Sequence, residues 1–573
     1  MSLAKSCQQC NEEFTVSDDD LDFLKRISPT LNGELVLVSP PTLCHECRQI
    51  RRYTHRNERH LYKRKCDLTG DDIVSVYSPD KPYKVYSNKA WNSDGWDPMN
   101  LGQDYDPNKK FFDQFDQLLR NVPRQANNAV FNENCDFCNQ TWHSSDSYMC
   151  FNMGYSERCY YSNEAFSLKD CIDCFDVRKC EFCYSCFDTA SSNNCSYLEH
   201  CKDCSDAHFS FDCAGCHNIF LCSGLKNKEF CIENKQYPKE EYLEKIKEFK
   251  TQNRLETNKL KERFDQLKIA AIHKENSNIK SENCTGDYII ESENCNDCFN
   301  VFNSQNCLRV VNCDDQGKDC RDINYIVEGE LLYEGTSVSG YKNVFSAFMP
   351  HGNDNYYCNF CETCKNCFGC IALKHKEYCI LNKQYSKEEY EKTVAKIIEK
   401  MKEDKEWGEF LPSSMSTFAY NETVAMDYFP KSKEQAGEIG AYWQDNDYET
   451  KFDGESYEPK DDINEYINSN DEVQSLLKGV IKCEKSGKPF RIIPQEIAFY
   501  MKNKIPVPTI HPHERFMELF KLRNPRKLYE RQCDCDVSGH DHSERCEVKF
   551  KTTYSPDRPE RVFCEACYRK ATL

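Results

Sequence analysis

The stretch CEFCYSCFDTASSNNCSYLEHCKDCSDAHFSFDCAGCHNIFLC, residues 180–222, returns cysteine on a nine-residue step and decides the fold class. Counting in nines from Cys150 reaches Cys159, Leu168, Val177, Cys186, Cys195, Cys204, Cys213, Cys222 and Cys231, so eight of ten register positions are Cys and two are aliphatic. A helix or an ordinary globular domain has no reason for such a rhythm. A coiled β architecture does, because each turn returns the same position to the same ladder. The pattern predicts a mainly β fold, a duplicated Cys-ladder parallel β-solenoid whose nine-residue half-turns pair into eighteen-residue coils. The other columns fit this reading. Small residues stand three before the ladder (Ser147, Ser156, Ala165, Cys174, Cys183, Ser192, Cys201, Ser210), where a tight corner needs them. Short polar residues stand one before it (Asp176, Ser185, Asn194, Asp203, Asp212) and supply turn chemistry. Two before it, Tyr148, Phe166, Phe175, Tyr184, Phe211 and Phe220 are read as an aromatic column on the ladder's own strand face.

A second copy follows. Cys298 and Cys307 keep the nine-residue step, as do Cys358 and Cys367, and the copies close on LKNKEFCIENKQYPKEEY (225–242) and LKHKEYCILNKQYSKEEY (373–390). Each then enters a charged amphipathic stretch. Pro238 is placed as a first-turn proline and Ser386 with Glu389 as a capping box, so helices of roughly 20 residues are expected after each repeat segment.

At 573 residues and a net charge of -19, the chain has room for several domains and is unsuited to general nucleic-acid coating. Thirty-nine cysteines in a secreted protein would read as a disulfide scaffold, but MSLAKSCQQC has no apolar signal core and no stretch approaches membrane-spanning length. The expectation is a cytoplasmic protein whose ladder thiols pack as small apolar side chains.

Metal chemistry is expected at the termini. Cys7-x2-Cys10 and Cys44-x2-Cys47 have the spacing of a zinc ribbon or treble clef, and four thiolates suit a closed tetrahedral zinc. RQIRRYTHRNERHLYKRK follows, and its Arg48, Arg51, Arg52, Arg56, Arg59, Lys63, Arg64 and Lys65 form either a contact for RNA or DNA or a solvated helix that neutralises the acidic body. The C-terminus repeats the N-terminus: LYKRKCDLTG (61–70) aligns with LYERQCDCDV (528–537), and YSPDKPYKVYSNKAW (77–91) with YSPDRPERVFCEACY (554–568). Each end is therefore a tandem of one intact and one degenerate module. The intact C-terminal site draws on Cys533, Cys535, Cys546, Cys564 and Cys567, five candidates for four places. The degenerate one keeps Cys483, Ser486, His511 and Glu514. Two bound Zn2+ are expected in all.

The resulting order is an intact zinc module at 1–64, a degenerate module with connector at 65–130, repeat segments at 131–237 and 281–385, and a helical excursion between them at 238–280. An exit helix at 386–404, an extended acidic linker at 405–478, a degenerate module at 479–527 and an intact one at 528–573 complete it.

YSPDKPYKVYS, KLYERQC, the Cys-studded repeats ending in NKQYSKEEY and the closing YSPDRPERVFCEACY resemble zinc-ribbon, Cys-rich repeat proteins of candidate-phyla bacteria. The resemblance covers nearly the whole chain, departs at Ser486, His511 and Glu514, and implies no activity. The sequence has no phosphate loop, nucleophile elbow or paired carboxylates at recognisable spacing. The leading expectation is a non-enzymatic zinc-binding scaffold or adaptor for a protein or nucleic-acid partner, with no membrane association. Its competitors are soft-metal storage or sensing by the ladder, and thiol redox chemistry at a run such as Cys180, Cys183 and Cys186.

Overall fold

The computed structural model describes every residue except 1, 315–319, 322, 328, 447, 449, 450, 538, 541, 543 and 573, and for 314, 324–327 and 329 the backbone only. The fold is mixed α/β where the nine-residue cysteine pattern suggested mainly β. Among the described residues there are fourteen α-helices and an eleven-stranded, mostly parallel sheet.

The chain divides into two compact units, and it does so by crossing between them. Residues 1–127 and 276–446 form one unit; residues 128–275 and 447–573 form the other. Each unit thus joins one repeat segment to one pair of terminal modules, with the first repeat belonging to the C-terminal modules and the second to the N-terminal ones.

In the second unit the eleven strands run from Ala129–Val130 to Lys235–Gln236. Phe151 pairs with Asn163, Phe175 with Phe187, Cys159 with Cys171 and Ile219 with Cys231, all in parallel and all twelve residues apart. The return is therefore twelve residues and not the eighteen that nine-residue half-turns require. The backbone shows why nine was misleading. From Phe131 to Asp212 every third residue has a left-handed conformation, with φ between +47° and +58°. Every third residue also faces inward, so nine and twelve are both multiples of the true three-residue step. The buried inner cluster holds Cys138, Cys150, Cys159, Cys171, Cys186, Cys204 and their companions, every one at a position divisible by three.

Position chemistry explains the corners. Asp176, Ser185, Asn194, Asp203 and Asp212 all adopt positive φ, as their turn-forming side chains allow. The column of Ser147, Ser156, Ala165, Ser192 and Ser210 is buried on the same inward set as the cysteines. The aromatic column, in contrast, is not on the ladder's face. Because the chain turns a corner every three residues, Phe175 and Tyr184 lie outside the inner cluster. There they form a floor for packed helices: Phe175 meets Phe187, Phe516 and Phe520, and Tyr184 meets Tyr500. Ladder thiols find backbone acceptors; Cys204 Sγ donates toward Lys202 O at 3.3 Å and Cys213 O at 3.4 Å.

The first unit repeats the scheme with a less regular step. Phe299 pairs with Val311 at an offset of twelve, Ile279 with Ile290 at eleven and Val311 with Asn324 at thirteen. Its inner cluster includes Cys295, Cys307, Cys361 and Cys370.

The helix after the second repeat is Lys387–Glu403, with the Ser386 and Glu389 capping box in place. After the first repeat there are two helices, Lys239–Ile246 and Arg254–Ala270, with Pro238 as the cap residue and not within the first turn. The segment 405–478 is no extended linker. It carries Val424–Tyr428, Lys433–Glu438 and Asn470–Lys478 as helices, and Trp407, Phe410, Tyr420 and Tyr466 are buried. The change of unit falls within it, at 446/447.

Candidate metal centres

Four small modules share one construction. Each begins with a β-hairpin or short strand pair, ends on a short helix, and places a cysteine at the end of the first strand. The strand pairs are Leu3–Ser6 with Glu13–Val16, Tyr62–Lys65 with Asp72–Ser75, Ile481–Lys482 with Pro489–Phe490, and Tyr529–Gln532 with Lys549–Thr552. The cysteines are Cys7, Cys66, Cys483 and Cys533, and each sulfur accepts a hydrogen bond from the residue that caps the module's closing helix. Those bonds are Cys44 N at 3.3 Å, Ser87 N at 3.3 Å, His511 N at 3.2 Å and Cys564 N at 3.2 Å. All four modules share this bond; two of them also bring four cysteine sulfurs together, and the other two do not.

In the N-terminal module Cys44 caps helix His45–Thr54 and Cys47 lies in its first turn, so both sulfurs sit at the positive end of the helix, where thiolates are favoured. The sulfurs of Cys7, Cys10, Cys44 and Cys47 all lie within 4.8 Å of one another, and Cys10 Sγ is 3.6 Å from Cys44 Sγ. A tetrahedral ion with sulfur at about 2.3 Å separates its ligands by about 3.8 Å, so the donor set fits a metal. The C-terminal module gathers Cys533, Cys546, Cys564 and Cys567 in the same way, with Cys564 capping helix Glu565–Ala571. Among the five sequence candidates it is Cys535 that stands outside this tetrathiolate. It lies instead in a neighbouring group with His540, His542 and Cys567.

The reduced modules no longer converge on a metal. In the first, Ser87 takes the capping position and its hydroxyl accepts from Ala90 N. The lone Cys66 thiol is pushed up by burial, but hydrogen bonds from Thr69 and from the Ser87 amide outweigh this and bring it to about 7. In the other, His511 Nδ1 accepts from His513 N, which turns the imidazole to helix capping, and Cys483, His511 and Glu514 are not among the convergent groups of the described residues.

The basic stretch does not form a helix along its length or a free cationic surface. The helix stops at Thr54, and Tyr62–Lys65 is a strand. Arg48, Arg51, Arg52 and Arg56 are buried. Arg51 pairs with Glu334 and Glu409, Arg56 with Glu58, Arg59 with Asp427 and Arg64 with Asp67. Lys63 and Lys65 are exposed, and Lys65 pairs with Asp72. The pairs of Arg51 and Arg59 fasten the N-terminal module to its own unit. Sequence reading missed this because the partners Glu334, Glu409 and Asp427 are hundreds of residues away.

The C-terminal module is fastened similarly. Strand Ile272–Lys274 pairs with Arg561–Phe563 and Tyr568 donates to Asp212, while Arg523 of the preceding reduced module pairs with Glu164 and Asp176. Burial pushes the Asp212 carboxyl up to about 6, and the Tyr568 hydroxyl opposes that shift.

Among the described residues no helix is long and apolar enough to cross a membrane. No protein-family model matches the chain, and no curated protein matches it at a significant level.

Proposed function

We propose that the protein is a non-enzymatic zinc-binding scaffold of the cytoplasm that presents its terminal modules to a protein partner. In this reading the twelve-residue return, with a left-handed corner at every third residue, makes each repeat a four-sided parallel β-solenoid. The knuckle modules are zinc ribbons or treble clefs docked on its flank. The resemblance to Cys-rich repeat proteins of candidate-phyla bacteria is part of the same proposal.

The observation that carries it is the pair of tetrathiolates, Cys7, Cys10, Cys44, Cys47 and Cys533, Cys546, Cys564, Cys567. Four protein ligands complete a tetrahedral zinc and leave no position for a substrate or an activated water, which is the mark of a structural site. A protein partner is favoured over nucleic acid because the Arg48–Arg64 guanidiniums already face carboxylates of their own unit.

Metal analysis with thiol titration tests the proposal. Cys44→Ser should cost one zinc per chain relative to the parent, and the ladder thiols should stay silent to a thiol reagent until the protein is denatured. One or two fast-reacting ladder thiols in the native protein would favour redox chemistry instead, and a metal load far above the number of terminal sites would favour metal storage.

A further inference from the structure

Three of the four modules hold two residues between the first pair of ligand positions: 7 to 10, 66 to 69 and 483 to 486. The fourth holds twelve, DCDVSGHDHSER between Cys533 and Cys546. A hydrogen bond from Cys546 N to Cys535 O, 2.9 Å, ties off this insertion, so that Cys533 and Cys546 still enter the tetrathiolate. The inserted residues therefore are not needed to build the first site, yet they bring three ligands, one cysteine and two histidines, to one place.

Cys535 is fully buried, and its sulfur lies 3.1 Å from His540 Nδ1. His542 Nε2 lies 3.4 Å from Cys567 Sγ. The four ligand atoms of Cys535, His540, His542 and Cys567 fall within 4.8 Å of one another. Sulfur and imidazole nitrogen bound tetrahedrally at about 2.3 and 2.0 Å stand about 3.5 Å apart, close to what is seen. The other ring nitrogen of His542 faces the carbonyl of Glu544. A histidine that ligates a metal commonly gives its second N–H to a carbonyl in this way, which fixes the free nitrogen toward the ion.

We propose that the C-terminal module is binuclear: a second soft divalent ion of the zinc class binds Cys535, His540 and His542, with the Cys567 thiolate bridging the two metals. This inference rests on the reading of the tetrathiolate as a zinc site. Charge favours it. One divalent ion among four thiolates leaves a net charge of about -2, and a second ion bringing one further thiolate and two neutral imidazoles reduces it to about -1. The spacing Cys-x4-His-x-His also explains why five cysteines compete for four places in the sequence.

Inductively coupled plasma and native mass spectrometry of the full chain loaded with zinc test it. The expected result is three zinc per chain for the parent and two for the His540→Ala, His542→Ala double variant. Cys535→Ser serves as a second variant with the same expected loss of one ion, should the double variant fold poorly. Two zinc in the parent and in the variants would overturn the second ion. Fewer than two in the parent would overturn the tetrathiolate reading beneath it. Loading with 113Cd tests the bridge separately: two cadmium resonances split by mutual coupling are expected, and uncoupled resonances would overturn the sharing of Cys567.

Discussion

Arg51 Nη2 donates a 2.7 Å hydrogen bond to Glu334 Oε1 across 283 residues of sequence, and the Glu334 side chain has no exposure to solvent. Burial raises the Glu334 carboxyl, while Arg51, Arg52 and Arg48 act against that shift. One carboxylate therefore holds the helix His45–Thr54 of the N-terminal module against the second repeat. A buried pair is of small net benefit compared with apolar residues, but removing one partner leaves an uncompensated charge.

Glu334→Gln should for that reason lower the stability of the unit formed by residues 1–127 and 276–446 by about 3 kcal/mol. Denaturant unfolding reads this directly, and a Glu334→Gln midpoint equal to that of the parent would show that the arginines do not depend on this carboxylate.

Inside the first repeat, Cys204 has 2% exposure and a sulfur already engaged with carbonyl oxygens. Cys204→Ala removes only a small side chain and should cost about 1 to 2 kcal/mol. Cys204→Asp buries a charge with no partner and should cost several kcal/mol, enough to prevent accumulation of folded protein. Equal melting temperatures for the two variants would place the ladder at the surface.

Chelation separates the parts of each unit. Metal-binding energy is folding energy for small thiolate modules, whereas the parallel sheet has its own buried core. Strong chelator should unfold the terminal hairpins and helices and leave the sheet's circular dichroism band. Loss of that band together with the termini would mean that the sheet depends on the metal modules.

Acid should weaken the seam between strand Ile272–Lys274 and the C-terminal module. Burial lowers His273 to about 4, against a smaller opposing effect of the Lys268 carbonyl, and Nδ1 also meets Tyr554 Oη at 3.1 Å. The folded state keeps this imidazole neutral while the unfolded chain protonates near pH 6.5. Its contribution is therefore complete above about pH 6.5 and is lost as pH falls toward 4, by about 3 kcal/mol in total. The stability difference between parent and His273→Gln should shrink over that interval; parallel pH curves would assign the acid sensitivity to other groups.

How far the sequence could be read follows from these residues. Cysteine recurrence, corner chemistry at Asp176 and Asp203, the tetrathiolates and the Ser386 cap were legible because each is a local relation between residue type and spacing. The number of residues per return was not. Cysteines spaced by nine fall on inward positions of any repeat whose step is three, so only the Phe175 to Phe187 pairing reveals twelve. The fate of Arg48 to Arg64 was hidden for a different reason, since charge along a segment says nothing about carboxylates that the fold brings from positions 334, 409 and 427. The exclusion of Cys535 from the tetrathiolate also depends on a backbone bond, from Cys546 N to Cys535 O, that spacing does not encode.

The chain changes unit after residues 127, 275 and 446. Translation therefore releases the N-terminal module long before the 276–446 segment that contains Glu334 and Glu409, and that module waits for its counterions on the ribosome. The unit begun first is completed at 446, while the one whose repeat is made first is completed only at 573. No single truncation yields one unit alone: a stop after 446 keeps the first unit whole but leaves 128–275 without 447–573, and a cut between 276 and 446 leaves both units divided. Isolating one unit for study requires splicing two distant segments through a designed linker.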